Sequence, residues 1–242
     1  MKLLDLTLAT PADNLACDEA LLNWSEAGDG GEILRFWEPR EHFIVVGYAN
    51  QVESEVNTVA CRARGVPVLR RCSGGGTVLQ GPGCLNYALI LNIAERPALA
   101  SISSVNRFIM ERNAQVLQSV LGDGLPAIAV RGHTDLALGE RKFSGNSQRR
   151  LKRTLLFHGT FLLHLDLALM TELLRMPTRQ PDYRHHRGHI DFLTSLNMRP
   201  TPLKNALREA WKATKELPGY PEQETSRLAA EKYSTREWNF KL

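Results

Sequence analysis

The chain has 242 residues, of which 43% are hydrophobic and 23% charged, and it contains 18 glycines and 12 prolines. This composition excludes a wholly disordered or collagen-like chain and leaves enough apolar mass to bury a sizeable core. Thirty basic and 26 acidic residues give a formal net charge of +4. That charge is too small for a dedicated nucleic-acid binder, but it is compatible with an anionic substrate or an acidic protein partner.

The N-terminal segment does not have the pattern of a secretory signal. Asp5 interrupts an apolar stretch that is too short, and no later run approaches the roughly 18 apolar residues of a membrane span. The four cysteines form no C-x-x-C pair, which excludes a zinc ribbon and a redox motif. We therefore expect a cytoplasmic protein that does not contact a membrane and whose cysteines are reduced thiols.

The first predicted element is a helix that begins after Thr10 and ends near Gly28. Thr10 supplies a hydroxyl N-cap, Pro11 suits the first turn, and Asp13 lies near the positive end of the helix dipole. Short apolar runs bounded by breakers then predict three strands, at 33–37, 43–46 and 66–69.

The clearest predicted helix follows Ser103 and Ser104 and ends before Gly122, because its apolar residues recur at helical spacing. Further strands are predicted at 134–138, 141–143 and 158–165, the first two joined by a tight turn. Helical spacing marks segments near 167–175, 203–215 and 224–233. Strands that follow one another through short turns predict an α+β fold, a mixed β-sheet flanked by helices.

The densest chemical feature is the run 70–79, Arg-Arg-Cys-Ser-Gly-Gly-Gly-Thr-Val-Leu, which follows one predicted strand and runs into another. Three successive glycines weaken a strand interior, so we expect something to approach this backbone closely. Their N–H groups can converge on an anion, and Arg70 and Arg71 supply positive charge for phosphate. The alternative is a glycine-rich turn beside a surface arginine pair. The run is neither a Walker loop nor a G-x-G-x-x-G fingerprint, so any nucleotide site here is of another type.

These residues resemble the signature loop R-R-x-S-G-G-G-[AT]-V of lipoate–protein ligases, within the biotin and lipoate ligase superfamily. Residues 134–136 and 140–146 are similar to the family's N-D-[LIV] strand and G-x-[RK]-K-[IVF]-S-G-[SN] hairpin, and residues 158–163 match H-G-T-x-L-L. The chain departs from the pattern at His133, Thr134 and Phe157. The segment 237–240 resembles the end of the family's catalytic domain.

The resemblance implies one catalytic domain over residues 1–242, of the class II aminoacyl-tRNA synthetase and biotin–lipoate ligase type. The small C-terminal accessory domain of typical bacterial ligases is expected to be absent. The implied activity is ATP-dependent conversion of lipoate to lipoyl-AMP, followed by transfer of the lipoyl group to a lysine of a carrier domain. That carrier is an E2 domain, an H-protein or another lipoyl-binding protein, and a separate small accessory subunit is a further possible partner. Neither a nucleic acid nor a membrane is expected.

By the same resemblance, Lys142 is the catalytic residue, bridging the acyl carbonyl and the α-phosphate as a compact point charge. Arg71 would bind the nucleotide phosphate. Asp135 would bind Mg²⁺ or the adenylate, since hard oxygen donors suit Mg²⁺. The full set of implied ATP and lipoyl-AMP contacts is Arg71, Ser73, Gly74, Gly75, Gly76, Thr77, Val78, Leu79, Asp135, Lys142, Ser144, Gly145, His158, Gly159 and Thr160.

The main alternative is an octanoyl or lipoyl acyltransferase of the same fold, which works through a cysteine thioester. Similar octanoyltransferases place that cysteine within the stretch that corresponds to residues 127–134, which contains none here, and residues 176–178 lack a thiol as well. Cys72 and Cys84 lie near the glycine run but not at the transferase positions. A biotin ligase fits the lysine hairpin less well.

A non-catalytic adenylate-binding module is a third alternative, which Lys142 and Arg71 argue against. A nucleic-acid protein is disfavoured because no aromatics interleave the basic run 149–153. We expect that run to be a solvated turn or a surface that steers an acidic carrier domain. The run 184–189, Arg-His-His-Arg-Gly-His, is expected to be a loop that closes over the adenylate rather than a metal site, because cationic neighbours repel a metal.

Overall fold

The first helix, α1 (Pro11–Ala27), begins and ends where the sequence predicts. Thr10 and Asp13 form a capping box in which the Thr10 hydroxyl accepts from the Asp13 amide at 3.1 Å and the Asp13 carboxylate accepts from the Thr10 amide at 3.2 Å. Gly28 ends the helix in the left-handed conformation, with φ of 109°.

The computed structural model of the chain describes residues 1–94, 96–122 and 126–242. The strands are β1 Lys2–Asp5, β2 Ile33–Trp37, β3 Phe43–Val46, β4 Val68–Arg70, β5 Val78–Gln80, β6 Cys84–Asn92, β7 Ile128–Arg131, β8 Asp135–Leu138, β9 Arg141–Arg150, β10 Thr154–Leu162 and β11 Lys215–Glu216. After α1 the helices are α2 Val52–Glu55, α3 Thr58–Ala63, α4 Ile102–Leu121, α5 Leu167–Leu173, α6 His189–Phe192, α7 Pro200–Ala210, α8 Glu222–Leu228 and α9 Arg236–Asn239. Across these described residues, no helix combines the length and apolar character needed to cross a membrane.

The strands of the described residues form two sheets. The larger has the order β11-β1-β2-β6-β10-β9-β8-β7, in which β1 is parallel to both of its neighbours and the other pairs are antiparallel. The smaller has the order β4-β3-β5, with β3 parallel to β4 and antiparallel to β5. Together with the packed helices, this pairing confirms the predicted α+β class with a mixed sheet.

Strand β6 is the centre of the core, and both of its faces are buried. Tyr87 and Leu89 pack in the cluster that contains Ile109 of α4, whereas Ile90 packs in the cluster that contains Leu21 of α1. Successive side chains of a strand point to opposite faces. The helices α4 and α1 therefore cover opposite faces of the large sheet.

Four strands, β6, β1, β7 and β11, are not predicted by the sequence pattern. β6 is a nearly continuous apolar run, so it lacks the alternation that marks a half-buried strand. The others are edge or near-edge strands of two to four residues, too short to give a periodic signal.

Several predicted boundaries are shifted. The strand predicted at 66–69 is β4, and the strand predicted at 158–165 begins earlier and ends earlier, as β10. The helix predicted at 203–215 is α7, which ends at Ala210, and the segment predicted at 167–175 is α5. The last predicted helix divides into α8 and a π-helical turn at Ala229–Tyr233.

The prediction of a solvated turn at 149–153 is wrong for its first two residues, which belong to β9. Arg149 Nη1 donates to the Cys72 carbonyl at 3.1 Å, and Arg150 Nη1 donates to the Leu99 carbonyl at 3.0 Å. These contacts draw both guanidinium groups onto the protein. Only residues 151–153 connect β9 to β10.

Arg70 ties the C-terminal segment to the small sheet. Its side chain is fully buried, and its backbone amide donates to the Asn239 side chain at 2.8 Å. Its guanidinium donates to the backbone carbonyls of Gly47, Tyr48, Asn50, Trp238 and Asn239. One side chain therefore satisfies acceptors on two segments that are far apart in the chain.

We expect Arg70→Met to lower the free energy of unfolding by about 3 kcal/mol or more, because it leaves several buried carbonyls without a donor. Urea denaturation measures the change. The matched control is Arg40→Met, at an exposed arginine, which should change stability by less than about 0.5 kcal/mol. Equal small losses in both variants would contradict a structural role for Arg70.

Candidate functional site

The glycine-rich run forms a loop between β4 and β5, and Arg71 is folded into it. Arg71 Nη2 donates to the carbonyls of Gly74 and Gly76 at 2.5 and 2.8 Å, and Nε donates to Ser73 Oγ at 3.2 Å. Burial lowers the pKa of Arg71 to about 10, so the guanidinium remains a cation at neutral pH. The residue that the sequence assigned to a nucleotide phosphate thus shapes the loop itself.

Close contacts explain why glycine occurs at two positions of this region. A Cβ at Gly47 would lie 2.0 Å from the Gly75 carbonyl oxygen, and Gly75 has φ of +84°, a conformation that favours glycine. Asn50 Nδ2 donates to the same carbonyl at 3.1 Å and to the Glu55 carboxylate at 2.8 Å. The Thr77 hydroxyl donates to Glu55 as well. The loop is therefore fixed at both ends.

A buried chain of polar contacts reaches the loop from the large sheet. Ser73 Oγ lies 2.6 Å from His158 Nε2, His158 Nδ1 lies 3.1 Å from Asp18 Oδ2, and Arg35 Nη1 donates to Asp18 Oδ1 at 2.6 Å. Burial opposes ionisation of Asp18, but Arg35 and the His158 hydrogen bond hold its pKa below the usual value. An ionised Asp18 accepts the Nδ1 proton, which leaves Nε2 to accept from the Ser73 hydroxyl.

Sequence reasoning placed Ser73 and His158 in the site but missed Asp18 and Arg35. The available signal was a charged residue inside each of two buried apolar segments, α1 and β2. Buried charges in such places are normally paired.

Lys142, on β9, is paired with Asp135, which is itself held by Tyr183. Its Nζ forms an ion pair with Asp135 Oδ1 at 2.8 Å, and the Tyr183 hydroxyl donates to Asp135 Oδ2 at 2.8 Å. Burial and the adjacent carboxylate raise the pKa of Tyr183, so the phenol stays protonated. A Cβ at Gly145 would lie 2.9 Å from Lys142 Nζ. Glycine there leaves the space that the ammonium group occupies.

These residues meet in an open cleft of about 1010 Å³. The predicted contacts that line it are Arg71, Gly75, Gly76, Thr77, Val78, Asp135, Lys142, Gly145, His158, Gly159 and Thr160. A smaller cavity of about 90 Å³ adjoins the cleft, and its apolar walls include Leu79, Leu162, Met170 and Leu174. Lys142 lines both spaces, so its side chain lies where a polar cleft meets an apolar cavity.

The other predicted contacts, all within the described residues, do not line the cleft. Leu79 lines the apolar cavity instead. Ser73 is bonded to His158, and the Gly74 carbonyl accepts from Arg71 and from the Ser147 hydroxyl at 2.7 Å. The Ser144 hydroxyl is buried and accepts from Asn146 Nδ2 at 3.3 Å.

The cleft also contains polar strand residues that sequence reasoning missed. Gln80 Nε2 donates to the Thr160 hydroxyl at 2.6 Å, and that hydroxyl donates to Asn86 Oδ1 at 2.5 Å. A Cβ at Gly159 would lie 1.7 Å from Asn146 Oδ1. The sequence signal for these residues was the presence of amide side chains within buried strands, because buried amide groups need hydrogen-bond partners.

The donor set does not fit a resident magnesium ion. Both Asp135 oxygens are already engaged, by Lys142 and by Tyr183. In the part of the chain that the structure describes, no group of three His, Cys, Asp or Glu side chains is arranged to hold a metal. Protein-bound Mg²⁺ commonly relies on one or two carboxylates and on substrate phosphates. Any Mg²⁺ that takes part would therefore arrive with the nucleotide substrate.

The histidine-rich segment 184–189 is partly helical. Residues Asp182–Arg184 form a 3₁₀ turn, and α6 begins at His189. His185 and His186 adopt left-handed conformations, with φ of 49° and 56°, and their side chains are exposed, whereas His189 is buried. The imidazoles are therefore not aligned to hold a metal. The Tyr183–Asp135 contact places this segment beside the cleft, and its closure over an adenylate stays a prediction.

All four cysteines are free and buried. Burial raises the pKa of Cys17 and Cys72 to about 11 and that of Cys84 to about 12, and it also raises the pKa of Cys61. The thiolate is the nucleophilic form of cysteine, so burial and protonation both make these thiols inert.

Sequence comparison identifies a family model that matches residues 10–206, described as the lipoyl protein ligase A/B catalytic domain. The octanoyltransferase LipM of Geobacillus kaustophilus is 27% identical and covers 99% of this chain and 98% of its own. Lipoate-protein ligase A subunit 1 of Thermoplasma acidophilum is 28% identical and covers 98% of this chain and 96% of its own.

Two solved structures extend the comparison. The putative lipoate protein ligase Ta0514 of T. acidophilum, with bound lipoic acid, has a TM-score of 0.79, 26% identity, and coverage of 99% of this chain and 98% of its own. A lipoate-protein ligase A bound with ATP has a TM-score of 0.80, 27% identity and the same coverage. These matches confirm that the predicted fold is that of a lipoate ligase catalytic domain.

We expect a disulfide-exchange reagent such as dithionitrobenzoate to label the native protein at less than about one thiol per chain within minutes at pH 8. The reason is that burial keeps the thiols protonated and inaccessible. The absorbance of the released thiolate measures the labelling. Addition of guanidinium chloride should expose all four thiols, and rapid labelling of one cysteine before denaturation would contradict the inferred inertness.

Proposed function

The chain belongs to the lipoyl protein ligase A/B catalytic domain family, and we propose that it is an ATP-dependent lipoate–protein ligase. It converts lipoate and ATP to lipoyl-AMP and pyrophosphate, and then transfers the lipoyl group to a lysine of a carrier domain. The observation that carries this proposal is the position of Lys142, whose side chain lies at the junction of a polar cleft and an apolar cavity.

The two spaces suit the two substrates. An acyl chain is apolar and takes the cavity, where Leu79, Leu162 and Met170 bury it from water. The nucleotide is polar and anionic and takes the larger cleft, whose walls include Arg71, Arg131 and Arg179. Solved structures of similar proteins bound to lipoic acid and to ATP support binding of both substrates.

Lys142 is the proposed catalytic residue. The carboxylate oxygen attacks the α-phosphorus of ATP and pyrophosphate leaves, a step in which negative charge accumulates between two anions. A cation placed between them stabilises that charge, because the transition state carries more of it than the separate reactants do. In the second step the carrier amine attacks the acyl carbonyl and AMP leaves, and the same ammonium group stabilises the carbonyl oxygen. Asp135 keeps Lys142 in place between the two spaces.

The glycine loop is proposed to bind lipoyl-AMP through its backbone. Arg71 occupies the carbonyls of Gly74 and Gly76, which leaves loop N–H groups as donors to an anion. The chain from Asp18 through His158 to Ser73 orients the loop from the opposite side. Gly75, Gly76, Thr77, Val78, Gly145, Gly159 and Thr160 are the further proposed contacts in the cleft, with Leu79 in the cavity.

Acyl transfer without ATP is the second candidate. The similarity to an octanoyltransferase of G. kaustophilus favours it. A transferase forms a covalent acyl-enzyme on a nucleophile, and the four thiols here are buried with raised pKa values. The Ser73 hydroxyl does face a histidine, but it is only 2% exposed. We therefore rank the transferase below the ligase.

The proposed acceptor is a lipoyl carrier domain, and the proposed location of the reaction is the cytoplasm. The relative named as subunit 1 of a ligase supports a separate small subunit as a further partner. Neither a nucleic acid nor a membrane enters the proposed reaction.

We expect the purified chain to release pyrophosphate only when lipoate, ATP and Mg²⁺ are all present. Lys142→Ala should lower that rate by about 100-fold or more, since it removes the cation between the two anions. A coupled pyrophosphate assay measures the rate, and thermal melting checks that the variant is folded. Lys152→Ala is the matched control, because Lys152 is exposed in the turn between β9 and β10. Full activity of folded Lys142→Ala would contradict the assigned role.

A variant with all four cysteines replaced by serine separates the two candidate functions. A ligase needs no protein thiol, so the folded variant should keep ATP-dependent lipoylation of a carrier domain within about threefold of the original rate. Mass spectrometry of the carrier measures the product. The contrary result has two parts: the original chain transfers the octanoyl group from an octanoyl carrier protein without ATP, and the cysteine-free variant does not. That result would reject the ligase in favour of the transferase.

A further inference from the structure

Arg184 is a buried cation outside the predicted set of site residues. It ends the 3₁₀ turn Asp182–Arg184 and is 5% exposed. Its Nε donates to the Arg187 carbonyl at 3.0 Å, and its guanidinium packs over the Phe192 ring, 4.7 Å from the centroid. Burial lowers the pKa of Arg184 from its very high ordinary value, which leaves the side chain charged at neutral pH.

Asp135 acts on Arg184 electrostatically but does not form an ion pair with it. Among the described residues no Asp or Glu forms an ion pair with it, whereas the buried Arg35 is paired with Asp18 at 2.6 Å. Glu55, the acid that lines the same apolar cavity, accepts from Asn50 and Thr77 instead. A buried charge without a counter-ion is costly and is normally retained for a purpose.

Arg184 occupies the same junction as Lys142, because it lines both the polar cleft and the apolar cavity. The two cations differ in one respect. Lys142 is paired with Asp135 at 2.8 Å, whereas Arg184 forms no ion pair among the described residues and contacts Met176 Sδ and His189 instead. An acid whose chain fills the cavity would present its carboxylate at this junction.

His189 holds the guanidinium at that position. Arg184 Nη2 lies 3.4 Å from His189 Nδ1, and His189 Nε2 lies 3.2 Å from the Arg175 carbonyl. This arrangement requires the neutral tautomer with the proton on Nε2, so that Nδ1 accepts from the arginine. Burial and the positive charge of Arg184 lower the pKa of His189, which favours that neutral form. The guanidinium is therefore fixed before substrate arrives.

We propose that Arg184 is the receptor for the carboxylate of the medium-chain acyl substrate at the mouth of the apolar cavity. Its planar fork matches a carboxylate and gives charge-assisted hydrogen bonds. This inference rests on the proposed function only in taking an aliphatic acid as the substrate. It assigns recognition of the free acid to Arg184, and charge stabilisation during the reaction to Lys142.

Direct binding without nucleotide tests the assignment. Isothermal titration of the full-length protein with octanoate and with octanamide compares a carboxylate with a neutral amide on the same aliphatic chain. We expect the original chain to prefer octanoate by about tenfold or more. In Arg184→Met and Arg184→Gln the preference should fall to about twofold, with octanamide binding nearly unchanged. A merely structural role would weaken both ligands together and leave their ratio intact.

Arg187→Met is the matched control. Arg187 lies on the same segment, stacks on the same Phe192 ring and donates to the Tyr183 carbonyl at 2.7 Å, but it is not among the described residues that line either space. We expect this variant to keep the preference for octanoate, whatever its effect on stability.

The alternative anion is a nucleotide phosphate, and titration with AMP is the arm that detects it. If folded Arg184→Met keeps the original ratio of octanoate to octanamide affinity, the proposal is overturned. If that variant also binds AMP tenfold more weakly, Arg184 is assigned to the phosphate instead. None of these titrations depends on ATP turnover. Failure of the Arg184 proposal would therefore appear in the titrations, whereas failure of the ligase proposal would appear in the pyrophosphate assay.

Discussion

The buried chain from Arg35 through Asp18 and His158 to Ser73 is the contact on which the geometry of the site depends. Its four members come from β2, α1, β10 and the glycine loop, so one set of bonds joins the large sheet to the loop between β4 and β5 of the small sheet. Removing one partner would leave a buried charge uncompensated, which is strongly unfavourable. His158 also lies opposite Ser147 in the pairing of β10 with β9. The loop is therefore fixed relative to β9, the strand that carries Lys142.

The folded structure determines which charged side chains of the site are paired. Asp18 and Glu55 are satisfied by neighbouring side chains, and Lys142 is paired with Asp135. Arg71 is turned towards backbone carbonyls. Arg184 lines both the cleft and the cavity and forms no ion pair among the described residues. In the proposed reaction a carboxylate approaches a polyphosphate, and fixed cations such as Arg184 and Lys142 offset the repulsion between the two anions.

The parts of the site that are local in sequence were predictable, and the parts that depend on distant pairing were not. The glycine run and the Lys142 hairpin are contiguous motifs, and residues of both line the cleft. Asp18 and His158 are 140 positions apart, and their contact exists only once α1 packs on the sheet. The role of Arg71 could not be predicted either. A motif gives the residue type, but it does not show whether the guanidinium donates hydrogen bonds to a ligand or to the loop that contains it. The central strand β6 escaped prediction because burial on both faces removes the alternation of a half-buried strand.

The chemistry of amide formation separates the two activities found among the relatives. A carboxylate and an amine do not combine at neutral pH unless the acyl group is first activated, either on a protein nucleophile or as an anhydride with a nucleotide. Activation on a nucleophile needs an accessible thiolate or hydroxyl, and here the thiols are buried with raised pKa values and the Ser73 hydroxyl is turned to His158 inside the protein. Activation as an anhydride needs no such group. It needs cations where the two anions meet, and Lys142 and Arg184 lie at that junction. These contacts favour charge stabilisation over covalent capture, and this is the physical reason for proposing the ligase rather than the transferase.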